Sequence, residues 1–134
     1  MLADAATVES GKLYVFGGGW DSVLARDFPM RHPVMALALV FQIDIDEADG
    51  PFPFLIELLD EQDQAIASAE GQGNLEVPLG ERTTFSFPMA MSFVGVVFPK
   101  PGEYRFRISS AEKELTALPF SVRQAPALDA AAPH

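Results

Sequence analysis

The sequence predicts an all-β domain in which two antiparallel sheets pack face to face as a sandwich. Large apolar residues alternate with small or polar ones over most of the 134-residue chain, which is the period of a strand with one buried face. Eleven prolines and ten glycines divide the chain into short pieces, with turn signals about every ten residues. We therefore expect eight or nine short strands.

Strands are expected in order along the chain, beginning with a hairpin. Segments with strand patterning, from which the eight or nine strands are built, lie near residues 3–8, 13–16, 20–28, 34–45, 54–59, 66–70, 84–87, 93–98, 103–109 and 118–123. The strand from Val34 would span about 40 Å, longer than most, so it should contain a bulge or bend. Gly95 suits another bulge, and Pro119 suits an edge or bulge position. The alternation is clearest where Tyr104 and Phe106 oppose charged neighbours.

Two segments have a helix as the alternative. Residues 1–9 are rich in alanine, and Ser109 and Glu112 resemble a capping box. We favour strands, because neither segment shows a sustained 3.6-residue period and Pro119 would end the second helix after barely two turns.

Composition limits the classes of partner and site. With 9 basic and 19 acidic residues the net charge is −10, so we expect neither nucleic acid nor membrane as a partner. Cysteine is absent, which excludes disulfides and thiolate metal sites. The first residues lack the regions of a signal peptide and no apolar run approaches ~20 residues, so a cytoplasmic location is expected. The apolar fraction of 49% predicts an exposed contact patch.

The domain is expected over residues 1–123. Residues 124–134 are small, apolar and unpatterned, and we expect them to form a disordered tail.

The most specific motif is a corner over residues 99–104, Pro-Lys-Pro-Gly-Glu-Tyr. Pro99, Pro101 and Gly102 force a turn, and Tyr104 then opens an inward-facing strand. In immunoglobulin-like sandwiches a tyrosine at this place turns its hydroxyl onto an upstream backbone group and locks the corner. The motif therefore predicts an immunoglobulin-like sandwich and a structural role for these four residues.

Glycines at positions 17–19 precede Trp20 and invite comparison with a phosphate-binding loop. That loop needs a following lysine and a helix, and the sequence predicts neither. We interpret the glycines as a kink or bulge between two β segments. Trp20 is then a rim or core residue, or a candidate surface contact.

An acidic cluster offers three candidate calcium ligands, Asp44, Asp46 and Asp49. The spacing departs from the EF-hand loop, since the third acid and the glycine come one place late and Leu55 stands at the twelfth position. A solvated hairpin tip is the favoured interpretation, and a calcium site is the alternative.

No grouping of residues predicts catalysis. His32 precedes a proline and is expected in a loop, bonded to the backbone, and His134 ends the tail, so the two make no typical zinc site. Neither a nucleophile elbow nor a Ser/His/Asp grouping stands out. We therefore expect no catalytic residue and no cofactor, and a protein that is not an enzyme.

Several short motifs occur together and in order over residues 2–123. They are Leu2-Ala-Asp-Ala5, Gly11-Lys-Leu13, Gly17, Phe28-Pro29, His32-Pro33, Leu58-Leu-Asp60, Phe98-Pro-Lys-Pro-Gly-Glu-Tyr104 and Leu118-Pro-Phe120. In these motifs the chain resembles a group of small bacterial and phage-associated β-sandwich proteins known only as a domain of unknown function. The chain departs from that group at residues 17–20, where one glycine and an apolar residue are usual, and at 110–113, where an Asp-Gly turn is usual. The resemblance implies a sandwich with a hairpin across 110–113, and it transfers no catalytic or ligand residues.

Two functional hypotheses remain from the sequence. The first is a non-catalytic protein-interaction or assembly module that acts through an apolar sheet face or an exposed edge, with a protein partner or a second copy. The second is a module that binds a carbohydrate or another small molecule through Trp20 and the acidic residues 44–49, with or without calcium.

Overall fold

The fold is all-β. The computed structural model describes residues 1–44, 51–74 and 84–126, and within these ranges the chain forms strands and no helix. The strands are β1 (Leu2–Glu9), β2 (Lys12–Trp20), β3 (Ser22–Ala25), β4 (Met30–Asp44), β5 (Pro51–Leu59), β6 (Ala65–Asn74), β7 (Thr84–Phe98), β8 (Gly102–Ser110) and β9 (Lys113–Gln124). The predicted fold class, all-β with two sheets, is confirmed. None of the described residues forms a helix of the length and apolarity needed to cross a membrane.

The strands form a four-stranded sheet in the order β2-β1-β4-β7 and a five-stranded sheet in the order β3-β9-β8-β5-β6. In the four-stranded sheet, β1 and β7 flank β4, yet some of their Cα atoms lie within 8 Å. Two flat strand spacings would separate them by about 10 Å, so this sheet is strongly curled. One sheet of the structure is a curled half-barrel.

One strand pair differs from the predicted antiparallel arrangement. β3 pairs with β9 in parallel, from Ser22 beside Ser121 to Ala25 beside Gln124, whereas the other pairs are antiparallel. The prediction of wholly antiparallel sheets is therefore wrong at this edge. The two strands are far apart in sequence, so no short hairpin fixes their relative direction.

The core lies between the two sheets and is built from one face of each strand. In β8 the predicted inward residues Tyr104, Phe106 and Ile108 are all buried. Aromatic rings form its centre, with ring centroids 5.0 Å apart for Phe98 and Tyr104, and 5.7 Å for Phe106 and Phe120. Burial of each large apolar side chain contributes roughly 1.5–3 kcal/mol, so this face supplies much of the stabilisation.

Both segments that had a helix as the alternative are strands and turns. Residues 2–9 form β1, and a two-residue turn at Ala111 and Glu112 joins β8 to β9. Both turn residues have positive φ, 51° and 65°, which a two-residue hairpin turn requires and a right-handed helix forbids.

The end of β9 lies inside the segment predicted as a tail. Gln124 is the last residue of β9, and its side-chain amide donates to the carbonyl oxygen of Arg26 at 3.2 Å. The backbone N–H of Ala125 donates to the carbonyl oxygen of Ala25 at 2.7 Å. Residues 127–134 lie outside the described ranges.

Candidate interaction surface

The corner motif places all four of its residues beside the start of β8. The Tyr104 hydroxyl donates a hydrogen bond of 2.6 Å to the carbonyl oxygen of Lys100, between Pro99 and Pro101. A Cβ atom at Gly102 would lie 2.7 Å from the carboxylate of Glu61, so only glycine fits without a shift of that side chain. Burial raises the pKa of Tyr104, and the charges of Asp60 and Glu61 raise it further. The corner fixes the backbone and presents no reactive group.

Trp20 is the last residue of β2, and its side chain packs against the core. Gly17 and Gly19 have φ of 60° and 86°, and the register of β1 against β2 shifts between Leu2 and Ala3, which is the bulge that the glycines predict. The Trp20 ring is half-buried against the core, and its buried indole N–H has no hydrogen-bond partner among the residues that the structure describes. It therefore presents only part of its ring to solvent.

His32 lies in a strand rather than in the predicted loop. It belongs to β4, pairs with Val96 and is half-buried, and its ring centroid lies 6.3 Å from that of Trp20. The following proline is accommodated because Pro33 falls at an irregular point of the strand, opposite Gly95.

The candidate calcium ligands lie at or beyond the limit of the described residues. Asp44 is the last residue of β4, without a described side chain, and Asp46 and Asp49 lie outside the described ranges. Within the described ranges no group of three or more histidine, aspartate and glutamate side chains is placed to hold a metal ion.

The outer face of the five-stranded sheet is polar and internally paired. Arg107 donates to Glu57 at 2.8 Å, and this contact raises the pKa of Arg107. Arg105 lies 2.8 Å from Asp63, and Ser121 donates to Glu103 at 2.8 Å. These contacts neutralise part of the charge within the polar outer face itself.

A different surface appears where β4 and β7 change face together. In β7 both Phe93 and Val96 are buried, although they lie three residues apart, and in β4 both Met30 and Met35 pack in or against the core, although they lie five apart. Both strands therefore shift their alternation by one residue near Pro33 and Gly95. Gly95 has a φ of 68°, a left-handed conformation that favours glycine. The shift in alternation coincides with this left-handed residue, and it sets which valines face outward.

Three of those outward residues form what we call the valine patch, which consists of Val34, Val94 and Val97. Val34 and Val94 are cross-strand partners, and their exposed fractions are 43% and 76%; that of Val97 is 49%. Arg31 lies across Gly95, with its guanidinium 2.8 Å from where a Cβ atom would stand. The patch is therefore apolar, exposed and bordered by one cation.

The free edge of β7 runs beside this patch. The N–H of Ala38 donates to the carbonyl oxygen of Met1 at 2.9 Å, and the carbonyl oxygen of Ala38 accepts from the Met1 amino group at 2.6 Å. Both backbone groups of Ala38 therefore face β1, and Ala38 makes no hydrogen bond to Ala90, its partner in β7. Hydrogen-bonding direction alternates along a strand, so the backbone groups of Ser86, Pro88, Ala90, Ser92 and Val94 all point away from β4. Within the described ranges no strand pairs with them.

A groove separates this edge from β6, the edge strand of the other sheet. It has a volume of about 490 Å³ and is lined by Ile66–Ala69 of β6 and by Ser92–Val97 of β7, none of which is charged. β7 itself contains no charged residue over its fifteen positions. We refer to the uncharged side of the two sheets formed by residues 65–69 and 86–97 as the open edge.

The outer strands β2 and β3, at the other ends of the two sheets, are blunted. β3 has only four residues, and β2 is bent by its positive-φ glycines. Short, bulged or charged edge strands discourage pairing with another chain. β7 has Pro88 and the positive-φ residue Gly95, but its continuous stretch between them has no charge.

The sequence predicted an exposed apolar face or edge, but it did not locate the valine patch or the open edge. Alternation alone assigns Val34 to one face of a strand, but it does not show that this face is uncovered. A signal was nevertheless present, since residues 84–98 contain no charged residue in a chain of net charge −10.

Comparisons with known proteins give one match. Neither the curated proteins nor the solved structures include a match to the chain. A profile described as a family of unknown function (DUF6941) matches residues 1–123, which cover both sheets up to the last residue but one of β9. The chain therefore belongs to DUF6941, a family of unknown function.

Proposed function

We propose that this protein is a non-catalytic interaction or assembly module that binds a protein partner through the valine patch and the open edge. The observation that carries the proposal is the exposed cross-strand pair Val34 and Val94. This pair lies beside the outer edge of β7, which has no charged residue and pairs with no strand within the described ranges. Exposed contiguous apolar surface next to unpaired backbone groups is typical of protein-binding sites.

Physical chemistry supports a protein ligand over a small molecule at this place. The free edge of β7 offers alternating N–H and C=O groups, and a second extended backbone satisfies that pattern. The exposed valines gain by leaving water at roughly 25 cal/mol per Å² of apolar surface. A partner that pairs with the edge and covers the valines would gain both backbone hydrogen bonds and apolar burial.

We also propose that the sandwich is of the immunoglobulin-like type. Its support is the strand order, with β4 beside β7 in one sheet and β9-β8-β5-β6 in the other, which corresponds to strands B and E, and to G, F, C and C′, of such domains. The tyrosine corner then falls near the start of strand F, where Tyr104 lies at the start of β8.

Site-specific photocrosslinking tests the proposed function. A photoreactive phenylalanine analogue at Val94 is expected to crosslink to protein in a lysate of the source cells. The same analogue at Ala117, an exposed residue opposite Arg107 on the polar outer face, serves as the control. Crosslinks at equal yield from both positions, or from neither, would contradict the proposal.

A further inference from the structure

We infer that the partner at the open edge is a second copy of this chain, paired β7 to β7 in antiparallel orientation about a two-fold axis. This inference rests on the proposed function and names the partner for the same surface. It would join two four-stranded sheets into one continuous eight-stranded sheet. The argument uses hydrogen bonding, charge and the shape of the edge.

Hydrogen bonding makes the edge self-complementary. Each second residue of β7 presents both an N–H and a C=O at the free edge, so two antiparallel copies can exchange both bonds at each such pair. Pro88 has no N–H to donate and Gly95 has a left-handed backbone conformation, so the regular stretch with full pairing capacity is Ala90–Val94. A two-fold axis at Ser92 would pair Ser92 with its own copy and Ala90 with Val94.

Side-chain orientation supports the same register. At Ala90, Ser92 and Val94 the side chains point to the outer face of the sheet, because residues whose backbone groups face one edge also share one face. Ser92 and Val94 are exposed, so both are accessible to a second chain. The pairing would place Val94 of each copy beside the small Ala90 of the other, which extends the valine patch across the joined sheet.

Charge favours this edge for a like partner. Two copies that each carry a net charge of −10 repel one another unless they meet where acidic residues are absent. The open edge carries no charged side chain, and Arg31 beside it adds a positive charge at its border. A second copy therefore approaches here with less repulsion than over the polar outer face, where Glu57, Glu103 and Asp63 lie.

Both layers of the sandwich end on this side. β6 forms the other wall of the groove, and its residues Ala65, Ala67, Ser68 and Ala69 are small, so another chain can come close. A two-fold pairing of β7 would bring the two β6 strands toward one another across the joined groove. Contact of both layers adds buried surface that one strand pair alone lacks, and it keeps the interface isologous.

Sedimentation velocity tests the inference with the whole chain over micromolar concentrations. The wild-type chain is expected to be a concentration-dependent dimer. Ser92→Pro removes an N–H that faces the free edge and makes no bond to β4, and each dimer loses two hydrogen bonds. We expect dimerisation about tenfold to a hundredfold weaker.

Val94→Lys is the second variant, because it places a charge on the edge at an exposed position and leaves the core untouched. It decides the question if Ser92→Pro does not fold, as judged by circular dichroism. Ala117→Lys adds the same charge on the polar outer face and should leave the dimer unchanged.

A wild-type chain that remains monomeric would overturn the inference, as would a dimer that neither variant weakens. The crosslinking experiment separates this failure from that of the proposed function. Crosslinks from Val94 to a different protein, with the chain itself monomeric, support the interaction module and overturn the second copy as its partner. Crosslinks from Val94 to the chain itself support both.

Discussion

The hydroxyl of Tyr104 and the carbonyl oxygen of Lys100 are 2.6 Å apart, and this hydrogen bond ties the start of β8 to the corner that precedes it. The corner connects β7 in one sheet to β8 in the other, so the bond holds the two sheets at a crossing point. The Tyr104 ring also contacts Phe98, which ends β7. One side chain thus stabilises both the backbone of the corner and the core beneath it.

Tyr104→Phe should therefore lower the free energy of unfolding by about 1 kcal/mol, because it removes one net hydrogen bond and keeps the ring. Urea denaturation with an unchanged m-value would measure the loss. Tyr14→Phe is the control, since Tyr14 is exposed in the edge strand β2. Equal effects of the two substitutions would show that the corner bond contributes nothing.

The stability of the corner should depend on alkaline pH. Burial raises the pKa of Tyr104, so the folded state favours the neutral hydroxyl. Its contribution is complete below the ordinary tyrosine pKa of about 10 and is lost as pH rises through the higher folded pKa. The wild type should therefore lose stability above about pH 10 more steeply than Tyr104→Phe, because the variant lacks this titrating group.

Denaturation curves of the two proteins between neutral and alkaline pH measure this difference. All other groups are common to both proteins, so their contributions cancel in the comparison. A gap in stability that stays constant as the pH rises through 10 would contradict a buried, neutral Tyr104.

The turn at Ala111 and Glu112 should be improvable. Both residues have positive φ. This conformation costs a residue such as alanine or glutamate about 1–2 kcal/mol, whereas glycine, asparagine and aspartate adopt it more readily. Replacement by Asn-Gly, the pair that best suits this hairpin turn, should raise the free energy of unfolding by about 1 kcal/mol after the entropy cost of glycine. Glu112→Gln is the control for removal of the charge. A gain of equal size in that control would assign the effect to charge and not to the backbone.

Much of the fold could be predicted because strand alternation and turn chemistry are local. The two-residue alternation alone predicts that Phe106 and Ile108 lie in the core, and both are buried. The corner residues carry their geometry in their own sequence, since proline and glycine restrict or extend the backbone at their own positions. These features need no information from distant strands.

The remaining features depend on distant parts of the chain. The parallel pairing of β3 with β9 joins strands about a hundred residues apart, and nothing near Ser22 encodes that neighbour. The edge position of β7 depends on the order of strands in the sheet. For the same reason the exposure of Val94 could not be predicted, since a valine-rich strand has the same sequence pattern at the centre and at the edge of a sheet.

The valine patch should be dispensable for folding. Val94→Thr keeps a β-branched residue at an exposed position, so the free energy of unfolding should change by less than about 0.5 kcal/mol. Leu37→Ala, in the core of the neighbouring strand β4, should cost about 2–5 kcal/mol. Urea denaturation of both variants, at a concentration where the chain is monomeric, makes the comparison. If Val94→Thr were as damaging as a core substitution, the patch would be part of the fold itself, and a partner would not be needed to explain its exposed valines.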